Sequence, residues 1–450
     1  MKKVVLTIAT LVIGAVSMAQ NPIITDQFIA DPSARVHKGR LFLYPSGDKV
    51  PEEGHVFFNQ SAGFCMPGYH VFSLNGGSTW VNHGWILKEK DVPWGMKNVC
   101  AMWAPDCIEK NGKYYFYYPA KAKNDDKYRR IGVGIADNPE GPFKWEKNFI
   151  QGMFSIDPGI LLDDDNQAYI FVKSGDGIKV APLSDDMKSI KHELINVEGL
   201  PAGYKEGPFP IKIKNRYYLI FAHNLANNGY TIGYAISDKP MGPYLYYGNI
   251  MDMIGKDTNH ASIVNYQGRW IFFYHNWALS GHTKLRSVCA EYMTINDDGT
   301  INKVVPTLRG IGAPMPGDTI QIDRYNAING AMTTFVGGNE PAGWMVTEAE
   351  NNSYVIFNDV NLADGSAKRI QARVACGQRG GIIEVRQNTP NGELIAKFDV
   401  KYTGGWNNWK TIENDIISNK KGMINLCVVF KGPHKVANLN WLLIKPHKTK

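Results

Sequence analysis

Three acids and one imidazole, Asp31, Asp157, Glu206 and His260, stand at the head of copies of one short phrase, and a further copy opens with Ala104. The phrase is a polar or small residue, usually followed by proline or glycine, then an apolar stretch, a polar turn and an aromatic-rich strand. Its copies begin Asp31-Pro-Ser-Ala, Ala104-Pro-Asp-Cys, Asp157-Pro-Gly-Ile, Glu206-Gly-Pro-Phe and His260-Ala-Ser-Ile. If such a repeat closes into a ring, residues at its equivalent position converge on one axis. Carboxylates facing one another across a funnel suit general acid and base catalysis. Hydrolysis of a glycosidic bond needs that pair, a protonated acid at the leaving oxygen and a base or nucleophile on the opposite face of the sugar. Like charges crowded together raise the pKa of one member and keep it protonated near neutral pH. The longer Glu206 reads as the proton donor, and a shorter aspartate as the base that activates water.

The elements that must position these residues are strands. Between copies of the phrase a second echo recurs: Gly132-Val-Gly-Ile-Ala-Asp-Asn-Pro-Glu-Gly-Pro-Phe is answered by Gly233-Tyr-Ala-Ile-Ser-Asp-Lys-Pro-Met-Gly-Pro-Tyr. Each repeat therefore holds about four short strands joined by Gly, Pro, Asn and Asp turns, with no amphipathic helix. The heads lie 73, 53, 49 and 54 residues apart, the period of propeller blades, and the long first interval predicts an inserted loop within residues 49–98. The expectation is an all-β chain: a five-bladed β-propeller over residues 20–306, then a β-sandwich of jelly-roll type. A sandwich in place of the propeller is the alternative, but it gives no reason for functional residue types to recur at one repeat position. Residues 307–319, with Gly310, Gly312, Pro314, Pro316 and Gly317, read as a linker. Alternating strands resume over 320–447, among them Tyr354–Leu362, Arg369–Val374, Ile382–Arg386, Leu394–Val400 and Ile424–Phe430.

The totals narrow the function. At 450 residues two domains are expected, and 49 Lys and Arg against 42 Asp and Glu give +7 with no basic run to concentrate it, so no nucleic-acid partner is expected. The 12% aromatic content serves β cores or platforms on which sugars stack. Residues 1–19, with Lys2-Lys3, an apolar stretch and Ser17-Met18-Ala19, read as a secretory signal, so the mature chain is expected from Gln20 in a secreted or periplasmic location. No other run is long and apolar enough to insert in a membrane, and a monomer is expected. The six cysteines show no metal-ligand spacing. Pairs Cys100–Cys107 and Cys376–Cys427 are candidate bridges, with buried free thiols as the alternative.

Ala30-Asp31-Pro32, Ile156-Asp157-Pro158 and Glu206-Gly207-Pro208, in that order on successive repeats, resemble the three acidic motifs of glycoside hydrolase family 43, a family of five-bladed, inverting enzymes. The resemblance covers residues 21–306. It implies Asp31 as general base, Glu206 as general acid and Asp157 as the residue that orients Glu206 and raises its pKa. It further implies Trp103 in Trp103-Ala104-Pro105 as an aromatic wall, His260 on the axis beside a metal such as calcium, and Arg286 as a substrate contact. The C-terminal part resembles carbohydrate-binding module family 6 through Ile320-Gln-Ile-Asp-Arg-Tyr325, Thr403-Gly-Gly-Trp-Asn-Asn-Trp-Lys-Thr411 and Asn438-Leu-Asn-Trp441. That likeness implies Trp344 and Trp406 as sugar-stacking residues and Asn438 as their polar partner. Asp323 stands where a calcium-binding Glu is usual in such modules.

These resemblances imply an exo-acting inverting hydrolase that needs no cofactor for its chemistry, with structural calcium as an option, and that takes plant polysaccharide or oligosaccharide. Removal of α-L-arabinofuranosyl branches from arabinoxylan is the first expectation, and removal of terminal β-D-xylosyl units the alternative. A non-catalytic sugar-binding propeller is the rival from another class, although binding alone has no need of three axial carboxylates. A retaining transferase acting on sucrose is a third reading, separable by the anomer first released.

Overall fold

The computed structural model describes residues 21–446 apart from 51–62, 75–79, 124, 226–228, 254–257 and 337–342. The signal read at residues 1–19 lies outside the described residues. Among the described residues the one helical element is a 3₁₀ turn at Glu89–Asp91, and no helix is long and apolar enough to cross a membrane.

Five antiparallel sheets follow one another along the first part of the chain, four of four strands and the last of three. Their innermost strands are Ile29–His37, Asp106–Lys110, Ile156–Leu162, Tyr204–Ile213 and Ser262–Tyr266, each opened by or just after one copy of the phrase. The aromatic-rich strand of each copy comes next: Arg40–Gly47, Lys113–Ala122, Ala168–Ser174, Arg216–Leu225 and Arg269–Asn276.

These second strands are apolar on both faces because each sheet is covered on both sides. Successive side chains point to opposite faces of a strand, so one run serves two cores. Leu41 and Leu43 pack with Ile271 and Phe273 of the fifth sheet, while Phe42 and Tyr44 pack with Phe116 and Tyr118 of the second. The pattern passes along the chain. Tyr117 meets Ile170 and Val172, Phe171 meets Leu219 and Phe221, and Ile220 meets Phe272 and Tyr274. Every sheet therefore shares a core with the next, and the fifth shares one with the first.

Polar groups tie the innermost strands together. Asp106 of the second sheet is 1% exposed and accepts from the Ser33 hydroxyl (2.5 Å), Arg35 Nη2 (2.5 Å) and the Ile160 N–H (2.7 Å). Arg35 also donates to the Ile160 carbonyl and lies 4.4 Å over the Phe209 ring. One carboxylate and one guanidinium thus join four sheets, and the Ala34 N–H, donating to Ser262 Oγ at 3.0 Å, brings in the fifth.

The stretch 49–98 is not mainly an inserted loop. It holds the two outer strands of the first sheet, Gly68–Leu74 and Trp80–Lys88, and the extra length falls between Gly47 and Gly68, partly in the undescribed residues 51–62. The cysteine pairing also differs from expectation. Cys65 is bonded to Cys100, while Cys107, Cys289, Cys376 and Cys427 are buried free thiols. Cys107 points into the core under Tyr44, and Cys376 and Cys427 sit on strands of two different sheets. Segment 307–319 does not hang free between the two parts. Ile311 is buried with the first and fifth sheets, and Glu291 accepts from the Thr307 N–H and hydroxyl.

Beyond it, a six-stranded and a five-stranded antiparallel sheet enclose one core. Their strands include Tyr354–Asn361, Arg369–Cys376, Gly381–Gln387, Leu394–Val400 and Met423–Lys431, within a residue or two of the ranges read from alternation. Arg269 pairs with Asp359 (3.0 Å) and Arg309 donates to the Asn358 carbonyl (3.0 Å), so the two parts meet through charged contacts.

Removing one member of the buried Asp106–Arg35 pair strands the other. Asp106→Ala is expected to cost about 3–5 kcal/mol in urea unfolding, and the double variant R35M/D106L markedly less. A loss below about 1 kcal/mol for the single variant would show that the pair is not structural cement.

Candidate active site

Asp31 and Asp157 share an unusual backbone. Each precedes a proline, and each has a positive φ, 51° and 53°. Residues with a Cβ adopt that region at a cost, and such strain gathers at functional sites. In the fourth copy the residue before proline with positive φ is Gly207 (64°), not Glu206. The register read from sequence is therefore one residue off in that copy. The head position holds Asp31, Ala104, Asp157, Gly207 and His260, and these five line a void of about 20 Å³, room for roughly one water. A Cβ on Gly207 would sit 3.1 Å from the His260 ring, so the glycine makes room for the imidazole. Glu206 falls one position earlier, with Trp103 and Ile156 as its counterparts. All three face a larger cavity of about 280 Å³ above the void, lined also by Asp31, Asp157, Phe64, Met66, Tyr230, Thr258, His260 and Arg286.

Asp31 lies 4% exposed beneath this cavity. Arg286 Nη1 donates to its Oδ1 at 3.0 Å, and the Ser46 hydroxyl to its Oδ2 at 2.5 Å. Burial alone would raise its pKa, but the Arg286 guanidinium, with His260 and Ser46, outweighs burial and holds the carboxyl far below the usual range. Arg286 is itself gripped by Asp48, through Nε to Oδ2 and Nη2 to Oδ1, both at 2.9 Å. One cation serves two buried anions, and burial together with the Asp31 charge pushes Asp48 upward. Arg286, expected as a substrate contact, is 2% exposed with its donors occupied, so it acts as a clamp on Asp31.

His275 was not singled out in the sequence. Its Nδ1 accepts from the Asp31 N–H (3.1 Å) and its Nε2 donates to the Thr258 carbonyl (2.9 Å), which fixes the tautomer. Burial, then Arg286, lowers its pKa to about 3. The ring is therefore neutral, and its 3.5 Å approach to the Asp31 carboxylate is not an ion pair. His275 holds the strained backbone of Asp31.

His260 lies between two acids, Nδ1 3.7 Å from Asp31 and Nε2 3.5 Å from Asp157. Burial opposes its charge, but Asp157, Asp31 and Glu206 outweigh burial and raise its pKa. Both ring nitrogens of His260 are thus turned to carboxylates. Among the described residues no group of three His, Cys, Asp or Glu side chains is placed to hold a metal ion. Asp323 is paired with Arg324 at 3.0 Å.

Asp157 accepts from the Gly207 N–H at 3.2 Å. Burial first, then the Glu206 and Asp31 charges, push its carboxyl up despite His260. Trp103 is fixed from behind. Its carbonyl accepts from the Tyr69 hydroxyl (2.6 Å), and the Arg129 guanidinium lies 3.1 Å over its ring. The residues missed by sequence reading, Ser46, Asp48, His275, Arg129, Phe64 and Tyr230, sit outside the repeated phrase or past its head, where no spacing marks them.

The three residues carried over to the C-terminal sandwich have different surroundings. Trp344 is 46% exposed and meets Phe335 edge to face at 6.1 Å. Trp406 packs partly on the core with Lys435 over its ring at 4.7 Å. Asn438 is 1% exposed, its amide donating to the Trp406 carbonyl and accepting from the Thr347 hydroxyl. Both ends of that amide are used internally, so Asn438 holds the Trp406 strand and is not presented to a ligand.

Residues 19–301 match the family model for glycosyl hydrolases family 43, and residues 323–446 the model for carbohydrate binding module (family 6). Xylosidase/arabinosidase 43A of Humicola insolens is 36% identical over 330 residues, covering 62% of this chain and 98% of that protein. An arabinoxylan arabinofuranohydrolase of Paenibacillus polymyxa is 26% identical over 468 residues, covering 92% of this chain and 72% of that protein. Among solved structures, a GH43 beta-xylosidase/alpha-arabinofuranosidase from a compost microbial metagenome, in complex with xylotriose and calcium-free, is 33% identical with a TM-score of 0.57. It covers 64% of this chain and 98% of that one. The likeness makes the first part of the chain a β-propeller and the second a β-sandwich. With three carboxylates lining one walled cavity and both models matched in order, the chain belongs to glycosyl hydrolase family 43 and carries a family 6 carbohydrate-binding module.

Proposed function

We propose that this glycoside hydrolase is an exo-acting inverting enzyme that removes single pentose units from xylan-type polysaccharide, with α-L-arabinofuranosyl branches of arabinoxylan as first substrate. The observation that carries it is the cavity itself. At about 280 Å³ it is smaller than a drug-sized site and suits one sugar unit, and its floor is closed by the axial residues. In this reading the five sheets form a five-bladed ring, which the core shared by the fifth and first sheets supports.

Asp31, kept ionised by Arg286, is the base that takes a proton from the attacking water. Glu206, half-buried on the cavity wall, donates a proton to the leaving oxygen. Asp157 lies below, its carboxyl pushed up by burial and by the Glu206 and Asp31 charges, which eases the crowding of negative charge. Such chemistry uses carboxylates alone. Removal of terminal β-D-xylosyl units is the second reading, favoured by the relative at 36% identity that is named for both activities. In the sandwich, exposed Trp344 is the stacking residue, with Trp406 beside a lysine as its companion. Export through residues 1–19 is supported by the Cys65–Cys100 bond, since disulfides persist in oxidising compartments. Mass spectrometry of protein recovered outside the cytoplasm is expected to give Gln20 as first residue.

Incubation with arabinoxylan is expected to release L-arabinose and no oligosaccharide, and proton NMR of the first product should show the inverted anomer. Release of oligosaccharides would refute exo action. Asp31→Ala and Glu206→Ala are each expected to lower kcat about 10²–10⁴-fold on a natural linkage. A dinitrophenyl glycoside, whose leaving group needs no proton, should restore rate to the Glu206 variant alone. Recovery of the Asp31 variant instead would reverse the two roles.

Loss of the guanidinium charge raises the pKa of an adjacent carboxylate. In Arg286→Met the acid limb of the pH profile of kcat/KM should therefore move to higher pH, by about 1 unit or more. An unmoved limb would mean that Arg286 does not tune the base.

A further inference from the structure

One side of the sugar cavity is built by a segment outside the repeated phrase. Phe64, Cys65 and Met66 lie between the second and third strands of the first sheet, and Phe64 and Met66 line the cavity. Cys65, 3% exposed, is bonded to Cys100, 1% exposed, three residues before Trp103, which also lines the cavity. Backbone bonds flank the link: the Met66 N–H donates to the Cys100 carbonyl (2.9 Å) and the Met102 N–H to the Met66 carbonyl (3.0 Å). The buried Glu89 carboxylate accepts from the Val99 and Ala101 N–H groups, on either side of Cys100. The segment also reaches the catalytic clamp, with Arg286 Nη2 3.6 Å from the Met66 sulfur and its guanidinium 4.4 Å over the Phe64 ring.

We infer that the Cys65–Cys100 disulfide is a specificity-determining clamp, which fixes Phe64 and Met66 against the Trp103 wall so that the cavity accepts a pentosyl unit and rejects the matching hexosyl unit. The inference rests on the pentose reading above. A hexose differs from the corresponding pentose by one added hydroxymethyl group, as D-glucose from D-xylose or D-galactofuranose from L-arabinofuranose. Against a phenyl ring and a thioether, that hydroxyl gives up water and finds at most a weak acceptor. An apolar wall discriminates a group of this size by about 10–200-fold, and only while it cannot retreat. Phe64 and Met66 occupy a connection rather than a strand, and the covalent bond supplies the rigidity that the connection lacks. Opening it takes two electrons and two protons: a dithiol such as dithiothreitol is oxidised to its cyclic disulfide as the two cysteines become thiols.

The test compares the oxidised protein, the same protein held in dithiothreitol, and C65S/C100S. The readouts are kcat and KM on a 4-nitrophenyl pentoside, Ki for the free pentose and hexose, and circular dichroism for the folded state. Opening the bond is expected to raise KM and to lower the ratio of hexose Ki to pentose Ki about ten-fold, with kcat within about two-fold of the oxidised protein. Phe64→Ala with the bond intact should lower the same Ki ratio. An unchanged ratio, or loss of the folded state in both opened forms, would assign the bond to stability alone and overturn the inference. Oxidised protein inactive on every pentoside would instead sink the pentose reading, and the inference with it.

Discussion

Asp106 is the constraint on which the rest of the propeller's centre depends. A carboxylate buried to 1% exposure survives only if every lone pair is used, and here the donors come from Ser33, Arg35, Cys107 and Ile160. Breaking such a pair leaves an uncompensated buried charge, which costs far more than the intact pair contributes. Ser33 and Asp106 each lie two residues after a head residue, and Ile160 lies three after Asp157. The knot therefore fixes the height and angle at which Asp31, Ala104 and Asp157 reach the axis. The site stands on the knot as on a plinth.

Above it, the chemistry follows from unequal sharing of charge. One guanidinium, Arg286, is divided between Asp31 and Asp48, and the share given to Asp31 keeps it ionised in spite of burial. Neutral His275 grips the Asp31 backbone without adding charge, while His260 bridges Asp31 and Asp157. Like charges in one small volume oppose one another's ionisation, and the buried Asp157 carboxyl is pushed upward. Two histidines stacked 6.1 Å apart are thus shifted in opposite directions, His260 up and His275 down, by what lies beside each ring.

The two parts of the chain are built by different economies. In the propeller each aromatic strand serves two cores at once, which explains why so many tyrosines and phenylalanines are fully buried. In the sandwich a single core between two sheets suffices, and strands there alternate apolar and exposed positions, as in Leu394–Val400. That difference leaves Trp344 and Phe335 exposed on one edge of the sandwich, while Asn438 is consumed in holding the strand of Trp406.

Alternation and turn residues alone placed most strands of the sandwich to within a residue or two, because period-two burial is a local property of the chain. The repeated phrase likewise announced five sheets and brought Asp31, Asp157, Glu206 and His260 to one site, since equivalent positions of a repeat meet when its units pack side by side. It misaligned Glu206 by one residue, although Pro208, like Pro32, Pro105 and Pro158, directly follows the true head, Gly207, whose positive φ matches those of Asp31 and Asp157. Partners far apart in the chain left no mark at all: Asp48 and Arg286, Asp31 and His275, Cys65 and Cys100. Local sequence determined which residues could do acid and base chemistry. Which of them carries the charge, and what holds it there, was decided only when distant segments were buried together, because desolvation and the choice of counter-charge exist only in the packed structure.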